Sequence, residues 1–343
     1  MNDGTGGLLD TSGPLDTSGP LDTSGLLDRV VRGIGGMDVV GRLAALGGSD
    51  FASVMLEVVR RRAARETPAS ILRRYANDRF VRPGSTSWRS ARRAEDILLG
   101  CLPAGVDLVT LAPLVPLGTH SALGTVSQHK IVTAIRACEV VADPTNALAL
   151  EAAVRRASPT QGNPAQSGPA QGRVCLAAIH RVVRAQRFPV GWSAHFGLFA
   201  MVTAGRDEGD RRFERSALAG HLRFAVAALR AAGLPLVQVA LTPLSDAGER
   251  IAAAVAEELA ALSAGIVTDH GRTAGRGYYL DVCFKVNVLV DGVPIEIGDG
   301  GFTDWTAKLL ASKKERLLIS GYGLDKLAVL IDGEPTDGEP TAG

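Results

Sequence analysis

The side chains best suited to phosphate chemistry are three arginines and a pair of glycines. Arg184 and Arg187 flank Gln186 at the end of a strand-like run, and Arg276 precedes the Tyr278–Tyr279 pair. A guanidinium is planar, permanently charged and able to hold two phosphate oxygens at once. Gly321-Tyr322-Gly323 precedes a helix-like segment, so its backbone N–H groups and the helix dipole could sit near a phosphate; a tight turn has the same pattern. Taken singly, each arginine also fits a surface ion pair. Cys101, Cys138, Cys175 and Cys283 are far apart, with no metal-ligand spacing, and read as buried, reduced thiols.

The elements that must position these groups can be read from spacing. Residues 1–28 are expected to be a disordered tail, built on the repeated hexad Asp-Thr-Ser-Gly-Pro-Leu. Its Asp-Thr-Ser-Gly string is similar to the aspartic-protease Asp-Thr/Ser-Gly signature. A glycine- and proline-bearing hexad cannot hold the rigid pair of aspartates that chemistry needs. Residues 29–100 read as helical. Ser49-Asp50 is expected to cap one helix, Thr67-Pro68 to open a second, and Trp88 to Leu99 to form a third. Arginines 60–62, 65, 73, 74, 79, 82, 89, 92 and 93 form either solvated helix faces or an RNA-facing surface.

Residues 101–332 read as one core. A strand is expected over 106–111, and a helix over 131–156 broken at Asp143-Pro144. A flexible loop follows over 158–172, then strands over 173–183 and 196–204 and an alanine-rich helix over 216–232. A strand over 237–242 and a helix over 246–263 lead to antiparallel strands over 278–290 and 294–297, joined by an Asp291-Gly292 turn. Trp305 to Leu310, a strand over 316–320 and a helix from Leu324 complete the core, before a tail over 333–343. This order predicts an α+β fold: a mixed, mainly antiparallel sheet flanked by helices.

Composition narrows the class. The 343 residues carry 37 basic and 36 acidic side chains, which removes any whole-chain charge argument for nucleic-acid binding. No apolar run approaches the roughly 18–20 residues of a membrane span. The opening MNDGTGG lacks the features of a signal peptide. A cytoplasmic protein with no membrane association is expected.

The order of the motifs is more specific than any one of them. Val109-Thr-Leu-Ala-Pro113, Asp143-Pro-Thr145, Ile179 to Gln186 followed by Phe196, Arg276-Gly-Tyr-Tyr279, Gly300-Gly-Phe-Thr-Asp304 and Gly321-Tyr-Gly-Leu-Asp-Lys326 occur in sequence. This series resembles the catalytic core of class II aminoacyl-tRNA synthetases, most closely the histidyl-tRNA synthetase branch, over roughly residues 90–331. That branch includes the regulatory subunit of ATP phosphoribosyltransferase, a paralogue that has lost aminoacylation. The resemblance implies that the strand at Val109–Pro113 builds a homodimer interface. It implies that Asp143 and Thr145, with Tyr278, Tyr279 and Gly301, hold an amino acid. Arg184 and Arg276 become the catalytic cations. Arg184, Gln186, Phe196, Gly323 and Lys326 become the ATP contacts. Activation of a carboxylate gathers negative groups, so Mg²⁺ is expected to supply the remaining positive charge; Asp299 or Glu296 reads either as its ligand or as a solvated strand residue.

The departures bear on activity. Gln186 stands where the family has glutamate, Phe302 where it has a basic residue, and Lys326 where it has arginine. Val202 replaces a glutamate of the histidyl enzymes, which argues for a substrate other than histidine. No anticodon-binding domain fits into residues 331–343, so tRNA, if it binds, is expected to do so without anticodon reading. The resemblance therefore implies ATP-dependent activation of an amino acid or related carboxylic acid as an acyl-adenylate, passed to a non-tRNA or unusual acceptor. The alternative is a catalytically silent paralogue that binds an amino acid and regulates a partner enzyme.

Overall fold

The computed structural model of the chain describes residues 24–36, 38–157, 172–188, 193–234, 237–262 and 264–332. Nearly all of the repeat tail, the 158–172 loop and the tail over 333–343 lie outside the described residues. The first helices are α1 (Ser24–Gly33), α2 (Asp38–Ala44), α3 (Gly48–Ala63), α4 (Pro68–Asn77) and α5 (Trp88–Gly100). Thr67 opens α4 as expected: its hydroxyl accepts the Ser70 N–H while Ser70 Oγ accepts the Thr67 N–H, with Pro68 at the first helical position. The cap expected at Ser49-Asp50 is not used. α3 starts earlier, with Gly47 at its N-cap and no side-chain capping bond. α5 buries an apolar stripe, with Ala94 and Leu98 facing the core.

Next come β1 (Asp107–Leu108), β2 (Leu114–Pro116), α6 (Thr119–Ala122), β3 (Thr133–Ala134), β4 (Cys138–Val140) and α7 (Pro144–Ala157). The helix expected over 131–156 is thus a helix only from Pro144. Its first half forms β3 and β4; β4 lies between β2 and β3 in a small antiparallel sheet. The β-branched residues Ile131, Val132, Thr133, Val140 and Val141 favour extended backbone there. The Glu139 carboxylate fixes the arrangement by accepting the N–H groups of Gly118 and His120 and the Gln128 side-chain amide.

The remaining elements are β5 (Val174–Val183), β6 (His195–Arg206), α8 (Arg212–Ala231), β7 (Val237–Pro243), α9 (Asp246–Glu258), β8 (Gly265–Thr268), β9 (Leu280–Val290), β10 (Val293–Thr303), α10 (Trp305–Leu309), β11 (Glu315–Gly323) and α11 (Leu324–Asp332). The main sheet runs β1-β5-β6-β11-β10-β9-β7-β8. It is antiparallel except where β1 meets β5 and β7 meets β8. The Asp291-Gly292 hairpin forms as expected, with both residues at positive φ. β10 runs past Ile297 because its glycines allow close packing: a Cβ on Gly300 would collide with Ile319 O and the Phe284 ring. The Gly321-Tyr-Gly323 segment is strand rather than turn; Gly321 pairs with Ala200 on β6 and Asp299 on β10.

Alternation along the strands divides the core into two layers. Leu176, Ala178, Ala200, Val202 and Ile319 pack on α7 and Trp305. Ala177, Phe199, Met201, Leu318 and Tyr322 pack on the opposite side with α8, α9, α11 and α5. The alanines of α8 keep that helix close to the sheet. Among the described residues, no helix is long and apolar enough to cross a membrane.

A buried histidine lies under the second layer. His221 of α8 sits 3.0 Å from Thr203 Oγ1 through Nε2 and 2.9 Å from Ser320 Oγ through Nδ1. Burial pushes its pKa down to about 3, from 6.5 in an exposed histidine. The unfolded chain therefore takes up a proton near pH 6.5 that the folded chain refuses. This residue's effect is absent above pH 6.5 and destabilises the fold as pH falls towards 3, by at most about 1.4 kcal/mol per pH unit. His221→Gln should flatten that part of the acid limb in urea titrations between pH 7 and 4; an unchanged slope would contradict the assignment.

Candidate active site

The site forms where the N-terminus of α7 meets the centre of the main sheet. Asp143 ends the turn before α7, and its Oδ1 accepts the Thr145 N–H at 2.9 Å and the Thr145 hydroxyl at 2.7 Å. This is a capping arrangement, and it fixes the carboxylate's direction. Arg184 follows β5. Its backbone N–H donates to Ala194 O at 2.8 Å, holding the end of the hairpin, and its Nε donates to Ala142 O at 2.9 Å. Its guanidinium carbon lies 5.2 Å from the centre of the Phe196 ring, and the residue is only 2% exposed.

Asp143, Thr145, Arg184, Tyr279, Asp299 and Gly321 line one cavity of about 10 Å³, roughly the space of a single water. Tyr278 packs edge-on against both Tyr279 and Trp305. Burial, with Asp143 and Asp299 nearby, pushes the Tyr278 hydroxyl well above its ordinary range. Burial and Asp299 do the same to Tyr279. Both tyrosines are therefore neutral hydrogen-bonding groups. Gly301 seats Tyr279 from below, since a Cβ there would come within 2.6 Å of that ring and 2.8 Å of Cys283 Cβ. Burial raises the Cys283 thiol to about 11, which keeps it protonated.

The structure thus brings Asp143, Thr145, Arg184, Tyr278, Tyr279 and Gly301 to one place. The other candidates do not line the cavity. Arg276 is exposed, and its Nε donates to Arg272 O at 3.1 Å. Phe196 packs edge-on with Phe188 at 5.9 Å. The Gln186 carbonyl accepts from Arg79 at 2.6 Å, while its Oε1 is buried with no partner among the described residues. Gly323 pairs with Leu198, and Lys326 Nζ donates to Glu296 O at 3.1 Å.

Three residues that the sequence reading did not single out as site residues shape the region. Arg272 is a second buried arginine here. It donates to Asp299 Oδ2 at 2.9 Å, Phe284 O at 3.0 Å and Ala274 O at 2.9 Å. Burial opposes its charge most strongly of any single influence, but Asp299, Cys283 and Tyr279 together outweigh it, so its pKa rises. Its position before Gly275 and Arg276 carries no spacing signal, and Arg276, nearer the tyrosines, draws attention away from it. Arg79 clamps the hairpin after β5 from outside, donating to Gln186 O and Ala185 O, both at 2.6 Å.

His120 is the third. Its Nδ1 lies 2.7 Å from Asn146 Oδ1, and its Nε2 accepts the Ala142 N–H at 3.1 Å, an arrangement that assigns the proton to Nδ1. Since Ala142 O receives Arg184, His120 positions both flanks of Asp143. His120→Ala should leave the buried Ala142 N–H unpaired and cost about 1–3 kcal/mol in urea unfolding. His120→Gln, with one donor and one acceptor, should recover part of the loss. Equal stability of all three proteins would contradict this role.

The carboxylates suggested for a metal are already committed: Glu296 to Lys285, and Asp299 to Arg272 and Tyr279. Among the described residues there is no cluster of three or more metal-ligating side chains. These residues do not fit a protein-held Mg²⁺.

No family model and no curated protein matches the chain. Solved structures do. The chain is similar to apo histidyl-tRNA synthetase from S. aureus, at 15% identity and a TM-score of 0.52, over 72% of this chain and 67% of that one. It is similar to an ATP phosphoribosyltransferase regulatory subunit/histidyl-tRNA synthetase from Bacillus halodurans, at 14% identity and a TM-score of 0.54, over 73% and 83% of the two chains. A histidine–tRNA ligase subunit from Alicyclobacillus acidocaldarius matches at 13% identity and a TM-score of 0.52, over 74% and 96%. The fold is that of a class II aminoacyl-tRNA synthetase-like core, with a largely antiparallel sheet flanked by helices.

Proposed function

We propose that this chain uses ATP to activate the carboxylate of an amino acid, or a related acid, as an acyl-adenylate for transfer to a non-tRNA or unusual acceptor. One observation carries the reading: Asp143, Thr145 and Arg184 converge on a single buried cavity. A zwitterion matches the charges of that set, its ammonium against Asp143 as Thr145 orients it and its carboxylate towards Arg184, and the cavity, which has room for about one water, must widen to admit it. In the reaction a carboxylate oxygen bonds to the α-phosphorus as the bond to the departing pyrophosphate breaks. Negative charge gathers at that phosphorus, and a fixed, desolvated Arg184 offsets it without reorganising. ATP is a co-substrate, with its adenine on Phe196 and its phosphates towards Arg184 and Lys326. Phe188 stands at right angles to Phe196, 5.9 Å between ring centres, beside the place the base would take.

Arg276 remains a candidate for the second catalytic cation, reaching the site from its exposed loop. Exposed Leu108, Leu114 and Leu117 beside the 109–113 segment support a homodimer contact there.

A second reading, an amino-acid-binding regulatory paralogue without turnover, is favoured by Phe302. The side chain at the family's basic position is 4% exposed and packs into the α8–α9 layer, so it brings no charge to the site. Trapping with hydroxylamine separates the two readings. A ligase releases AMP and yields an acyl hydroxamate from one amino-acid pool. A regulator shows ligand-dependent thermal stabilisation and no AMP.

A further inference from the structure

The face of the sheet away from the candidate active site carries a second feature. α5 lays Ala94 and Leu98 into the α8–α11 layer and turns its other side outwards. Trp88, Arg89, Arg92, Arg93 and Asp96 of that helix, with Ala231 of α8, line an open groove of about 680 Å³. Trp88 is 77% exposed, whereas Trp305 is 1% exposed. An indole left in water on a well-formed helix gains nothing for the fold. Arg92 is held by Asp96 at 2.8 Å and Arg93 lies 3.8 Å from Asp332, while Arg89 has no ion pair among the described residues. The surrounding chain is cationic in one way only: residues 24–100 hold fourteen arginines, no lysine and eight acidic residues, in a protein whose overall charge is +1. The rest of the chain is therefore net acidic, and the field is concentrated on the helical region.

The geometry points to this groove as a binding site for single-stranded nucleic acid, with a base stacked on Trp88 and phosphates held by Arg89 and its neighbours. An indole face needs a flat π partner, and guanidinium forks need paired oxygens. A nucleotide strand offers both at the spacing of one helix face. An acidic peptide offers the charge without the plane. The site is separate from the proposed ligase chemistry, because α7 and the Arg184 cavity lie on the opposite layer.

The test is fluorescence anisotropy of the full chain with a labelled 12-nucleotide oligo(U), from low to physiological salt. Binding should weaken with a log–log slope of about −0.7 for each phosphate contacted. Trp88→Ala should weaken it about 5- to 100-fold, and Trp88→Phe should retain most of it. Arg89→Ala should make the slope shallower by about 0.7. Trp88 and Arg89 are exposed, so neither change should move the thermal midpoint. Absence of binding at low salt, equal binding by Trp88→Ala, or tighter binding of a duplex of the same length would each overturn the assignment.

Discussion

Replacing Arg184 by alanine should lower ATP–pyrophosphate exchange about 10²- to 10³-fold, the cost of removing one preorganised group that meets developing charge. Arg184 is 2% exposed, fixed by Ala142 O and Ala194 O, and set against the Phe196 ring, so it does not reorganise during reaction. Arg184→Lys keeps the charge but loses the planar fork and the Nε bond to Ala142, and should recover only a small part of the rate. Alanine also leaves the Ala142 carbonyl short of a donor, a stability loss on the order of 1 kcal/mol. Rates should therefore be compared well below the melting midpoint. Near-normal exchange by Arg184→Ala would remove this residue from the chemistry.

The largest stability effect is expected at the Arg272–Asp299 pair. Both side chains are 3% exposed, and Arg272 spends its donors on Asp299, Phe284 O and Ala274 O. Removing one partner leaves a buried charge uncompensated, so Arg272→Ala should cost about 3–5 kcal/mol. At roughly 2–4 °C per kcal/mol for a chain of this size, the midpoint should fall on the order of 10 °C. Arg276→Ala, four residues away on the exposed side of the same loop, should change stability by no more than about 0.5 kcal/mol. Comparable midpoints for the two variants would show that the pair does not hold the loop under Tyr279. Asp299→Asn probes the other end: it keeps the shape, removes the charge facing Arg272, and should also lower the midpoint.

These two sites mark what local sequence could and could not reveal. The Asp291-Gly292 hairpin, the Thr67-Pro68 helix start, the long strands around residues 174–206 and the alanine-rich α8 each follow from a local rule, and each forms. The stretch over 131–141 does not, because its mixed apolar pattern suits either period, and long-range bonds to Glu139 decide in favour of strands. Burial of charge is equally invisible locally. Nothing around Arg272 distinguishes it from Arg276 until β10 places Asp299 beside it. His120 was silent for the same reason, since its partners Ala142 and Asn146 lie across a turn whose path only the fold defines. Motif order, rather than any one residue, singles out Asp143, Thr145 and Arg184 in the sequence, and the fold brings the three to one cavity.

The most direct test of the ligase reading is ATP–pyrophosphate exchange by the full chain, with Mg²⁺ supplied alongside ATP and amino acids added in pools. Exchange is expected with one pool and background with the rest. Background exchange with every pool, alongside a rise in thermal midpoint when an amino acid binds, would contradict it and leave the regulatory paralogue as the standing explanation of the site.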